Sequence, residues 1–249
     1  MSVFEANIQT LEQLLHSASP APINTQRFVA APKNAHAGLV LKSDMCAEFG
    51  APQAMSARIS LYGNAVSERR DNAWLIGRPF VACRGQSVDF AHVVILRGEM
   101  IDAETFYQFN QRYQRLLDQP GVMVKAMADK VWLRCADTDA QPINFERIAA
   151  TFNARVHEAF PAITSVSSWY VSAETGLVAK LARHAQEIVQ TIDALRNDVW
   201  KSRGFDYRSC QLTGHCGSCS DKKLCQSIRK IEAQVRLNRR NRDEEGSES

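Results

Sequence analysis

The chain has 249 residues, 45% of them hydrophobic and 23% charged, a globular composition sized between one large domain and two small ones. Thirty basic and 27 acidic residues leave a net charge of +3, too balanced for the one-sided field of a dedicated nucleic-acid binder. No run approaches the ~20 apolar residues of a membrane span, and the start Met1–Asn7 lacks the basic and apolar regions of a signal peptide, so the expectation is a cytoplasmic protein with no membrane contact.

Phe4, Ile8, Leu11, Leu14 and Leu15 recur at helical spacing and predict a short helix, followed by a stiff linker through Pro20 and Pro22. Gly38–Leu41 reads as a brief buried strand, and Asp44–Phe49 as a turn of helix ended by Gly50 and Pro52. Ala57, Ile59 and Leu61 alternate with polar neighbours, and Phe90–Leu96 is rich in valine and isoleucine, so both segments score as strands. Arg69–Asn72 between them reads as an exposed loop.

Asp102 caps a predicted helix whose face is Phe106, Phe109, Tyr113 and Leu116. Gly121 restarts the chain as a hairpin: Val122, Val124 and Ala126 lead to a turn at Ala128–Lys130, and Val131, Leu133 and Cys135 return with Trp132 on the other face. Asn144 caps a second helix through Phe145, Ile148, Phe152, Val156 and Ala159, which Pro161 stops, and Ser165–Val171 is one more strand. These elements predict an α/β or α+β fold, a mixed sheet with packed helices. Val178, Leu181, Ala185, Ile188, Ile192, Leu195 and Val199 then step by three and four along a long helix, 177–201. Its narrow seam can dock on the sheet or on the terminal helix, or meet a protein partner or a second copy of the chain.

Seven cysteines are divided unevenly. Cys46, Cys83 and Cys135 are scattered, whereas Cys210, Cys216, Cys219 and Cys225 fall within sixteen residues as C-x5-C-x2-C-x5-C. In a reducing compartment such clustering favours a metal over disulfides. The central Cys216–Cys219 pair is a two-residue bite, and the outer five-residue loops are long enough to bring Cys210 and Cys225 back. Four thiolates suit a [4Fe-4S] cluster or zinc, and neither the spacing nor the ligand count separates the two. Lys222 and Lys223 set positive charge beside the thiolates, which serves either metal. His215 inside the segment reads as an outer hydrogen-bond donor or an exposed residue.

Gly121–Met123, Lys130–Arg134, the Phe145–Phe160 helix, Pro161–Ile163, the strand ending Trp169–Ser172, a long helix and a cysteine cluster come in an order that resembles the beta subunit of the CO dehydrogenase/acetyl-CoA synthase complex. Gly38–Met45 and Glu48–Pro52 look like the same family's segment leading into a Gly-Pro turn, so the likeness covers roughly residues 35–225 through short motifs. It implies an α/β domain followed by a cluster domain in which Cys210, Cys216, Cys219 and Cys225 bind a [4Fe-4S] cube, in a setting of anaerobic redox and one-carbon metabolism. The chain departs from the family in two ways. Its two-residue pair is central rather than first, and no Cys-Gly-Cys tripeptide follows Cys225 to hold nickel. A cluster-bearing subunit or accessory is the expectation, with a zinc-stapled binding or scaffold module as the alternative; whether the chain catalyses a reaction is left open.

The remaining features read as structural. His92 and His157 stand singly, Cys46, Cys83 and Cys135 look like small core hydrophobes, and only Cys83, beside Arg84, has a hint of a reactive thiol's basic setting. Arg236, Arg239, Arg240 and Arg242 are followed at once by Asp243, Glu244 and Glu245, so no phosphate-binding track is formed. Glycine-rich nucleotide loops and nucleophile elbows are missing. The expected organisation is an N-terminal helix and linker over 1–22, an α/β domain over 23–172, a helical, cysteine-rich metal-binding module over 173–242 and a disordered tail over 243–249.

Overall fold

The computed structural model describes residues 4–202, apart from 33–34, 36–37, 65–69, 99–100 and 138–141. The chain divides into two units, Met1–Arg196 and Asn197–Ser249, and every described sheet lies in the first. In chain order, helix α1 (Glu5–Ser17) precedes strands β1 (Ala21–Pro22), β2 (Ala47–Phe49), β3 (Ser56–Gly63), β4 (Asn72–Gly77), β5 (Ser87–Val88) and β6 (Phe90–Arg97). Helix α2 (Ala103–Leu117), the hairpin β7 (Val122–Ala126) and β8 (Val131–Cys135), helix α3 (Phe145–Ala159), strand β9 (Ser165–Ser172) and helix α4 (Thr175–Ser202) follow. The fold is mixed α/β with two mixed sheets.

The larger sheet has the order β1-β4-β9-β6-β3, with β3 parallel to β6, β4 parallel to β9, and β6 antiparallel to β9. All eight residues of the central β9 are buried, as expected of a strand covered on both faces. On one face Trp169 stacks on Trp74 at 4.6 Å and meets the ring of His16 from α1. On the other, Tyr170 meets rings carried by α3 and β6. The smaller sheet, β5-β2-β8-β7, joins the first through Ser56, whose hydroxyl donates to the Val131 carbonyl and accepts from the Val131 amide, and through a cluster of Phe49, Phe80, Phe90 and Phe145.

Asp102 and Asn144 cap α2 and α3 as their positions predict, accepting from the amides of Thr105 and Arg147. Val178, Leu181, Ala185 and Ile188 of the α4 seam are buried in the domain's own core. Two expectations are corrected. Gly38–Leu41 forms no strand, with Leu39 and Leu41 exposed and Val40 alone buried. Asp44–Phe49 is not a helical turn: a single 3-10 turn at Lys42–Asp44 gives way to β2, because Glu48 is drawn into the sheet by Trp132 Nε1 (3.0 Å) and Arg134 (3.0 Å). The expected Arg69–Asn72 loop leads directly into β4, which begins at Asn72 and is an inner strand of the larger sheet.

Candidate functional site

Strand register sets three polar side chains in one row. Arg58 of β3 is paired with His92 of β6, and His92 with Tyr170 of β9, so the three share one face of the larger sheet. Helices α2 and α3 roof that face: Tyr113 and Phe152 pack against the His92 ring, which stacks on Tyr170 at 4.5 Å. The Tyr113 hydroxyl and His92 Nδ1 are hydrogen-bonded, while His92 Nε2 is buried with no partner. The Arg58 guanidinium lies over the Tyr113 ring, 3.8 Å from its centre. It donates from Nη1 to the Met127 carbonyl (2.9 Å) and from Nη2 to Asn110 Oδ1.

Burial governs the charges in this row. His92 is pushed down to about 3 by desolvation, with the neighbouring Arg58 charge acting in the same direction, so the imidazole is neutral at physiological pH. Desolvation raises the Tyr113 and Tyr170 phenols above their ordinary value. Desolvation also lowers Arg58 to about 10, which still leaves it charged. The row thus holds one cation among neutral groups, and no carboxylate among the described residues pairs with it. Its geometry suits holding an anion or a dipole rather than moving a proton.

A hollow of about 300 Å³ borders Arg58, walled by Phe106, Asn110 and Gln114 of α2, Met127 after β7, and Ile192 and Asp193 of α4. A second, of about 790 Å³, runs along the hairpin past Met55, Lys125, Lys130 and Trp132 to Ala182 and Gln186. The two share Gln114, Ala126 and Met127 as a common wall. Lys125 and Arg134 each lie 4.9 Å from the centre of the Trp132 ring.

The four clustered cysteines, Cys210, Cys216, Cys219 and Cys225, lie outside the described residues, as do His215 and the terminal arginines. Among the described residues no group of three or more histidine, cysteine or acidic side chains is placed to hold a metal. Cys46, Cys83 and Cys135 are free thiols. Desolvation raises all three, most strongly Cys135 in β8. The basic neighbour that singled out Cys83 does not activate it, since Arg84 is engaged with Asp137 at 2.5 and 2.9 Å. His157 is held by Asp71 (2.8 Å) and the Ile163 carbonyl (3.0 Å), which ties α3 to the start of β9.

Arg58 escaped sequence reasoning because its alternation with Ala57 and Ile59 reads as the solvent face of a half-buried strand. His92 left a trace, as a titratable residue inside the apolar run Phe90–Leu96. The chain matches no protein-family model and no curated protein.

Proposed function

We propose that this chain is an iron–sulfur protein in which Cys210, Cys216, Cys219 and Cys225 hold one [4Fe-4S] cluster. The division of labour among the cysteines carries this reading: three are dispersed through the folded domain as free thiols with raised pKa values, and the other four stand within sixteen residues at chelating spacing. The domain over 4–196 fills its own core with apolar and aromatic side chains, so its stability does not call for a metal. Free thiols accord with a reducing, cytoplasmic compartment. No described helix is long and apolar enough to cross a membrane.

The likeness to the acetyl-CoA synthase beta subunit supports a role as a cluster-bearing subunit or accessory in redox or one-carbon metabolism. A protein partner, or a second copy, would meet α4 away from the seam that Val178, Leu181, Ala185 and Ile188 bury.

The test is the full chain purified without oxygen. It should be brown, with broad absorption near ~400 nm and roughly four iron and four sulfide per chain, as thiolate-held cubes are. Cys216→Ser and Cys219→Ser should lose that colour, because they break the shortest chelate, whereas Cys135→Ser should keep it. Colourless protein with one zinc per chain would establish a zinc staple instead, and full iron in Cys219→Ser would remove these cysteines from the site.

A further inference from the structure

We propose that the hollow beside Arg58 is a binding site for a small organic acid, with the carboxylate on the Arg58 guanidinium and a short apolar tail between α2 and α4. An arginine brings five N–H donors. Two of them are used, by the Met127 carbonyl and Asn110 Oδ1, and Nε is buried with no partner. The side chain is 5% exposed, and among the described residues no carboxylate lies within ion-pair distance of it. A buried charge is expected to be paired, and its absent counter-ion is the observation that points to a ligand.

The surroundings narrow the ligand class. Both acceptors of Arg58 also wall the hollow, so the cation is fixed at its border by the same residues a ligand would touch. The Tyr113 ring beneath it and its two hydrogen bonds hold the guanidinium, whose planar fork favours the two-oxygen geometry of a carboxylate. Arg58 offers one positive charge for one carboxylate, and the Asp193 carboxylate in the same wall opposes the second charge of a phosphate dianion. Phe106, Met127, Ile192 and Leu195 offer an apolar wall, and Asn110, Gln111 and Gln114 supply amides. At about 300 Å³ the space is at the lower end for ligand sites and fits a metabolite-sized acid.

The experiment titrates the full chain, isotopically labelled, with sodium hexanoate, and in parallel with hexan-1-ol and with inorganic phosphate, following backbone amide resonances. Saturable hexanoate shifts centred on Asn110, Met127 and Leu195 are expected, with hexan-1-ol and phosphate at least about tenfold weaker. Arg58→Gln should weaken hexanoate at least about tenfold and leave hexan-1-ol unchanged, and Leu195→Trp, which narrows the hollow from α4 and keeps the arginine at 58, should remove hexanoate binding from a folded protein. Equal binding of acid and alcohol, tighter binding of phosphate, absence of saturation, or an unaltered Leu195→Trp variant would each overturn the proposal. None of these outcomes bears on the cysteine cluster.

Discussion

His92 can take up a proton only when the strands and helices around it open. Its folded pKa is about 3 and an unfolded histidine titrates near ~6.5, so between these values the unfolded chain binds the extra proton. The resulting stability is complete above pH ~6.5 and is lost progressively as pH falls towards the folded value, at ~1.4 kcal/mol per unit. At pH 5 the loss amounts to about 2 kcal/mol, a large share of the 5–15 kcal/mol that typically holds a domain together. Urea unfolding at pH 7 and pH 5 of the wild type and of His92→Asn isolates this effect, since every other titrating group is common to both. The variant starts less stable, because an asparagine leaves part of the aromatic stack on Tyr170 unfilled, but its decline between the two pH values should be smaller by about 2 kcal/mol. Equal declines, or an imidazole resonance for His92 that titrates near ~6.5, would refute the buried, neutral assignment.

His157 should behave in the opposite sense. Its hydrogen bond to Asp71 raises its pKa, so its contribution is complete below the unfolded value and is lost as pH rises through the folded one. Asp71→Asn should therefore flatten the alkaline side of the stability profile, and an unchanged profile in that variant would show that the pair is not coupled to folding. Gly50 and Gly38 make a matched test of backbone strain, having φ of +67° and +66°. A Cβ at Gly50 would lie 2.4 Å from the Val131 carbonyl oxygen, whereas one at Gly38 meets nothing within 4 Å. Gly38→Ala should cost about 1 kcal/mol by urea unfolding and Gly50→Ala at least twice that. Similar losses at both sites would mean that the junction between the sheets yields easily.

Elements whose evidence is local were legible in the sequence. The caps at Asp102 and Asn144, the alternation in β7 and β8 and the three-four spacing of α4 depend on neighbours a few residues away, and each is found where the pattern places it. What escaped was set by distant partners. Ala47–Phe49 becomes a strand because β8 supplies its ladder and Trp132 and Arg134 hold Glu48, and Asn72–Gly77 is an inner strand because β9 lies beside it. The row of Arg58, His92 and Tyr170 was invisible for the same reason, since its members come from three strands and meet only through register. The spacing of Cys210, Cys216, Cys219 and Cys225 is a feature of the sequence alone, since the four lie outside the described residues.

The position of β9 also dictates an order of events at the ribosome. It inserts between β4 and β6, pairing Trp169 with both Trp74 and Val93, yet among the described strands it is the last to be synthesised. Until it emerges, the facing edges of β4 and β6 have open backbone donors and acceptors. The nascent chain therefore carries two adhesive edges through the translation of the stretch between Arg97 and Ser165, and closure of the sheet is a late, long-range step. Truncations ending before Ser165 should aggregate rather than form a smaller stable sheet.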